Sequence, residues 1–484
     1  MKNKKVFIAI PVVLAVLVAV YAAIMMSGRS ITAAADDLNG RFVQVIENNG
    51  CLQCHAAEPD PFWYQELPVL SGLFEKDMTN AYRSVDLEAV IHQLNSGEAI
   101  SIADVAKLEQ STINNSMPIV EYTMVHWGAD LNAEEQQIIQ DWVKVQRTAH
   151  VEAMAQQFGM ELTEEELARA VSEPIQILPD PAGQNVDMDK AQLGLALYHD
   201  TRLSADGTIS CASCHPLDNA GQDNSKSSRG IGSQMGGVSA PTVYNAVFNI
   251  RQFWNGRAVD LQDQAGGPPL NPIEMGHTSF DDIAALLKQD PGMVAAFEKV
   301  YGTEGINQNT ITDAIATFEQ LLITTNSPFD QYLAGDTSAL TSEEIQGYEE
   351  FKKNYCATCH VGPSMGGQSF ERLGTVESAD NYFAERGTEI NGDDQGLYGF
   401  TGEEDDLYKY KVPTLRNIAL TAPYFHDGRY LTLEEAVRAM FRFNTDNPNP
   451  SDSQVDSIVT FLNTLNGENE YMDYANVPNN SLLD

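Results

Sequence analysis

Along most of the 484-residue chain, apolar residues recur at three- and four-residue intervals, and two-residue alternation is scarce. That period puts the apolar side chains on one face of a helix, so the pattern predicts a mainly α protein. Behind Asn132 and Glu135, which form a helix-start signal, Ile138, Ile139, Trp142 and Val143 share a face. Thr432 and Glu435 frame a capping box ahead of Leu433, Ala436, Val437, Met440 and Phe441, and Val455, Ile458, Val459 and Leu462 repeat the spacing near the C-terminus. One segment is apolar throughout: Val6 to Met26, 21 residues that follow Lys2, Lys4 and Lys5. Its length suits a single bilayer span, and the lysines put the N-terminus in the cytoplasm and the body outside. The expected location is therefore the inner membrane, with one N-terminal span and the body in the periplasm. Ala33-Ala34-Ala35 offers a signal-cleavage site as the alternative, which also exports the body.

Length excludes a single core. Residues 29–39 read as a short tether. Polar sequence runs to about Ser172, and Pro174, Pro179 and Pro181 then mark a linker. The remainder repeats itself. Pro241-Thr242-Val243-Tyr244-Asn245 is echoed by Pro413-Thr414-Leu415-Arg416-Asn417. Twelve residues on from each proline, Phe253-Trp254-Asn255-Gly256-Arg257 is echoed by Phe425-His426-Asp427-Gly428-Arg429. Two related domains follow from this, with a boundary near Leu340. The expected division is an anchor or signal over 1–28, an N-terminal domain over 40–172, and the related pair over 187–340 and 341–484.

The cysteines say what these domains hold. All six fall in one pattern: Cys51-Leu-Gln-Cys54-His55, Cys211-Ala-Ser-Cys214-His215 and Cys356-Ala-Thr-Cys359-His360. Two thiols at this spacing bond to the two vinyl groups of one haem, and the adjacent histidine (His55, His215, His360) ligates its iron. Disulfides, a redox pair or zinc leave the histidine after every second cysteine unexplained. The chain thus reads as three c-type cytochrome domains behind a transmembrane helix, with three covalently bound haem c groups. Against 29 basic residues stand 68 acidic ones, a net charge of −39. That charge repels phosphate and excludes nucleic acid as a partner. It fits a solvated surface, or a docking face for a basic protein.

The second axial ligand decides what each haem does. For the first, Met117 before Pro118 is the candidate, 62 residues beyond His55, with Met124 as its rival. For the third, Met440 is the candidate, although a methionine on an apolar helix face can equally be packing. For the second, no histidine lies between Pro216 and Asn255, and Met235 is the only obvious ligand there. The second haem therefore reads as the one with an open face.

Over residues 188–470 the sequence resembles the bacterial dihaem cytochrome c peroxidases. The residues that carry the resemblance are Leu203-Ser204-Ala205-Asp206-Gly207-Thr208-Ile209-Ser210, Phe253-Trp254-Asn255-Gly256-Arg257, Pro272-Ile273-Glu274-Met275 and Thr421-Ala422-Pro423-Tyr424-Phe425-His426. The additional N-terminal haem segment behind an apolar anchor is similar to the three-haem branch that includes quinol peroxidases. The resemblance implies reduction of hydrogen peroxide at the second haem. It implies Trp254 between two haems, Gln264 and Glu274 over the open face, and Met440 as distal ligand of the electron-transferring haem. Thr421 and Pro423 match carbonyl ligands of an interhaem calcium, but Ser239 stands where an asparagine completes that site. Ile231 stands where many members carry a histidine that caps the oxidised iron, with Met235 and His277 as the remaining local candidates for a cap.

Glu274 is then the general acid–base that moves a proton between the peroxide oxygens, and Gln264 orients the substrate. The expected donor is quinol, relayed through the first and third haems. The alternatives are the same enzyme fed by a small cytochrome or copper protein, and a non-enzymatic electron carrier. A branch that oxidises a protein side chain replaces the distal methionine by tyrosine, so Met440 argues against it. Family members often pair as homodimers.

Overall fold

The structure, a computed structural model, describes residues 31–59, 71–126, 129–181 and 185–472. The chain divides into two compact units. One comprises residues up to Ile100 with Lys107–Arg147, the other Ser101–Ala106 with everything from Thr148 on. The described residues are mainly helical, as the apolar period predicts.

In the first unit, helix α1 (Leu38–Asn48) starts where the Asp37 carboxylate accepts the Gly40 N–H, and it buries Phe42, Val45 and Ile46. Phe42 stacks on Trp142 with ring centroids 4.0 Å apart. Trp142 belongs to α3 (Ala133–Gln157), and α2 (Leu87–Ser96) lies between the two in sequence. The start signal read for α3 is present: the Asn132 side chain accepts the Glu134 and Glu135 N–H groups, and the Glu135 carboxylate accepts that of Asn132. Ile138, Ile139, Trp142 and Val143 are all buried.

The location read from the sequence, an inner-membrane protein with one N-terminal span, is corrected. Among the described residues no helix is long and apolar enough to cross a membrane. Val6–Met26, on which that reading rested, lies outside the described residues. The linker read from Pro174, Pro179 and Pro181 also behaves differently. Ile175 and Leu178 are buried, and Gly362 donates to the Pro174 carbonyl. Prolines signal only that the segment is not helical. The apolar residues between them pin it to a core.

The second unit contains the same arrangement twice. Helix α4 (Met188–Tyr198) crosses α6 (Gln308–Glu319), and α7 (Ser342–Lys353) crosses α9 (Asp452–Leu462). Each crossing has a glycine at its closest point. A Cβ on Gly194 would sit 2.0 Å from the Ala314 carbonyl oxygen, and one on Gly347 would sit 2.1 Å from that of Ser457. The turns repeat too. Asn245 and Asn417 both adopt left-handed backbone, at φ 63° and 61°. Each side-chain oxygen accepts one N–H from the end of its own domain: Thr324 for Asn245 (3.0 Å) and Gly467 for Asn417 (2.7 Å). Phe253 and Phe425 are likewise left-handed, at 67° and 69°. The only sheet among the described residues pairs β1 (Phe370–Arg372) with β2 (Lys409–Lys411), antiparallel. Helix α5 (Leu261–Gly266) belongs to the first copy and α8 (Leu433–Asn444) to the second. The capping box of α8 forms as read, and Ala436, Val437 and Phe441 are buried.

Gly194→Ala and Gly347→Ala are each expected to force a helix pair apart against backbone that cannot yield. The expected loss is about 1–3 kcal/mol, the usual range for overpacking, with haem content unchanged. Urea unfolding of the purified variants checks this.

Candidate active site

The two motifs of the second unit are single helical turns, Cys211–Cys214 and Cys356–Cys359. The histidine after each turn leaves the helix, and a backbone carbonyl then meets its Nδ1. His215 Nδ1 lies 3.3 Å from the Gly221 oxygen and His360 Nδ1 lies 3.2 Å from that of Met365. In the first unit His55 Nδ1 lies 3.0 Å from the Val85 oxygen. A neutral imidazole that donates from Nδ1 presents its lone pair at Nε2. Burial lowers the proton affinity of all three rings, that of His360 to about 4, so they stay neutral. Burial also pushes the thiols up, to about 12 for Cys51, Cys211 and Cys356 and about 11 for Cys54 and Cys214. Two thiols with a histidine directly after the second suit thioether attachment of haem with the imidazole as iron ligand.

Cys211, Cys214, His215, Cys356, Cys359 and His360 all line one cavity of about 460 Å³ in the second unit. A neutral imidazole and two thiols face a largely apolar space at each motif, which fits one covalent haem at each. Trp254, Gln264, Glu274, Met440, Thr421 and Pro423 line the same cavity. The structure therefore gathers every site residue read for the second unit around one space. In the first unit Met117 lies in the turn ahead of the helix Val120–Val125 and is 38% exposed. Met124 falls within that helix, and its side chain lies outside the described residues.

Trp254 is fixed on both sides. Its indole Nε1 donates to the Ser239 carbonyl and its own carbonyl accepts the Lys411 N–H, both at 2.9 Å. Glu274 closes a tight turn in which the Asn271 side chain accepts the Ile273 N–H and donates to the Glu274 carboxylate at 2.8 Å. Burial raises the Glu274 carboxyl, the Arg257 guanidinium and the Asn271 bond pull it back, and Asp393 raises it. The loop from Gly230 to Gly237 is wedged beside it. The Ile231 N–H donates to the Glu274 carbonyl, and a Cβ on Gly230 would sit 1.9 Å from the Ile273 carbonyl oxygen. Met235 is exposed, and His277 is buried with Nε2 3.1 Å from the Arg202 carbonyl oxygen. Neither lines the cavity, and nor does Ile231.

The Ser239 hydroxyl donates to the Ser225 carbonyl and accepts from Gln222, both at 3.2 Å. A hydroxyl so engaged keeps one lone pair, so Ser239 is at most a weak cation ligand alongside the carbonyls of Thr421 and Pro423. Sequence reading missed Asn271, Lys411 and the buried Glu319. Of these only Asn271 left a signal, three residues ahead of Glu274 in a proline-rich turn.

The family model for di-haem cytochrome c peroxidase matches residues 188–338, and one for a haem-binding domain matches residues 22–145. Cytochrome c peroxidase of Escherichia coli is 44% identical over 437 residues, covering 90% of each chain. The chain belongs to the dihaem cytochrome c peroxidase family. It is a peroxidase, an oxidoreductase with haem as its cofactor. Cytochrome c551 peroxidase of Nitrosomonas europaea is 43% identical over 299 residues, covering 62% of this chain and 86% of that one. Among solved structures, a MauG-like protein associated with microbial copper homeostasis superposes with a TM-score of 0.51 at 27% identity, over 59% of this chain and 91% of that one.

Asn271→Ala removes a donor that favours the ionised form of Glu274, so the carboxyl proton is held to higher pH. A carboxylate base is active above its pKa and is lost as pH falls through it. The acid limb of the kcat/KM profile is expected to move to higher pH, with little change on the alkaline side. A pH profile of peroxide turnover checks this.

Proposed function

We propose that the peroxidase reduces hydrogen peroxide to water at the Cys211–His215 motif, taking electrons through the Cys356–His360 motif. In this reading three haem c groups are held by Cys51/Cys54 with His55, by Cys211/Cys214 with His215 and by Cys356/Cys359 with His360. Met117 and Met440 are the second ligands of the first and last. When bound, haem supplies the one-electron redox chemistry. The chain's residues do the rest. Glu274 takes the proton from one peroxide oxygen and returns it to the other, so that two protons and two electrons convert one peroxide to two waters. Gln264 orients the substrate by hydrogen bonding. Asn271 holds the Glu274 carboxylate in place, and Trp254 occupies the fixed position between the motifs.

The observation that carries the reading is the shared cavity: an acid–base carboxylate, an amide and the two attachment motifs face one space. The relatives' names support a reduced c-type cytochrome as electron donor. Quinol, expected from the resemblance to the three-haem branch, is the second donor that this reading allows. The N-terminal haem segment is then an additional relay, and pairing into a homodimer is part of the same proposal.

Glu274→Gln is expected to keep all three haems and to lose roughly 10²-fold or more in turnover, as removal of a general acid–base does. Haem content by mass, beside steady-state turnover with reduced cytochrome and with quinol, tests catalyst and donor together. Near-normal turnover rejects Glu274, and activity with quinol alone rejects the cytochrome. Ile231 carries no ligating atom, and Met235 and His277 point elsewhere. The oxidised protein is therefore expected to show one high-spin ferric signal in electron paramagnetic resonance. Three low-spin signals would show that a cap has been found.

A further inference from the structure

We propose that Lys411 anchors a haem propionate where the two motif pockets meet, and that its charge raises the reduction potential of that haem. The proposal rests on the reading that the cavity is loaded with covalent haem. Lys411 is the last residue of β2, 5% exposed, on the cavity wall. Its ammonium makes no hydrogen bond or ion pair with any described residue, and only burial acts on it, lowering it to about 8. An amino group in an apolar interior is costly unless an anion meets it. Lysine can bury its stem and send its head to water, but a residue this enclosed has not done so.

Among the described residues no carboxylate pairs with the Lys411 ammonium. Glu319 is the other buried charge on this wall, and it lies beside Cys211, forming no ion pair with Lys411. A net charge of −39 keeps soluble anions away from the surface. The cofactor brings carboxylates of its own, two on each haem. Backbone contacts fix the position of Lys411. Its N–H donates to the Trp254 carbonyl at 2.9 Å, and its partner in the strand pair is Phe370. The Phe370 ring packs against Gly256, where a Cβ would come within 2.3 Å of it. The side chain thus starts from the backbone that holds Trp254, on the wall of the cavity that both motifs line. A propionate left without its ammonium favours the more positive ferric iron, so loss of Lys411 lowers the potential of the haem concerned.

The test is spectroelectrochemical titration of the fully loaded protein, with haem content read separately by mass. Lys411→Met is expected to keep three haems and to shift one reduction equilibrium toward ferric by about tenfold, which is about 59 mV for a one-electron couple. Lys411→Arg, which keeps the charge, is expected to stay within about threefold of the parent. Potentials in Lys411→Met that all match the parent overturn the proposal. If Lys411→Met fails to load, Lys411→Gln is titrated in its place with the same criterion. If neither neutral variant loads while Lys411→Arg does, the required charge is demonstrated. Failure of all three means that shape rather than charge is needed, and overturns the proposal. A parent protein lacking haem at Cys211 or Cys356 would defeat the cavity reading itself, a result the mass measurement separates from the potentials.

Discussion

The peptide of Ser239 is gripped from two directions. Its N–H donates to the His426 carbonyl at 2.7 Å and its carbonyl accepts the Trp254 indole at 2.9 Å. Ser239 and Trp254 belong to the first copy of the repeat, and His426 belongs to the second. One residue therefore ties the first copy of the repeat to the second, and the tryptophan cannot rotate without breaking a partly buried bond. His426 is held in turn. Its ring meets the Asp394 carboxylate at 3.0 Å, and Arg386 pairs with the same carboxylate at 2.6 Å. Burial works against the charge, but Arg386 and the buried His426 bond keep Asp394 ionised far below the usual carboxylate range. The fixed point in the cavity thus rests on a buried charge network behind it.

The repeat explains why two cofactor sites can share a wall. Each copy turns its chain at a left-handed asparagine whose amide oxygen clasps the end of its own domain. Each also threads a threonine hydroxyl between a carbonyl and an N–H: Thr242 to Ala220 and Tyr244, Thr414 to Ser364 and Arg416. The copies differ at the residue after the left-handed phenylalanine. The first has a half-buried tryptophan there and the second a buried histidine tied into the charge network, and both line the cavity.

The cavity wall concentrates groups that burial makes costly: Glu274, Glu319 and Lys411. Glu274 has Asn271 and Arg257 to offset that cost, and burial still raises its proton affinity. That is the condition a proton shuttle needs, since a fully exposed carboxylate holds its proton too weakly near neutral pH. Burial alone raises Glu319 to about 8.

Cofactor chemistry was legible in the sequence because covalent attachment demands thiols and histidine at fixed short spacing, which no fold is needed to reveal. Helix faces and caps were legible for the same reason: period and capping act within a few residues, as Thr432–Glu435 and Asn132–Glu135 show. The repeated turns were visible as repeated letters. What the sequence could not carry was anything set by contact between distant segments. The proline-marked segment looked like a free linker, and its burial depends on a core some two hundred residues away in the chain. Ser239 looked only like a missing calcium ligand, and its hold on Trp254 and His426 exists only once both repeats fold. Lys411 looked like one polar residue in a short strand, and only the enclosing cavity makes its charge significant. Burial is a property of the assembled interior, so the groups whose chemistry depends on it were decided by tertiary structure.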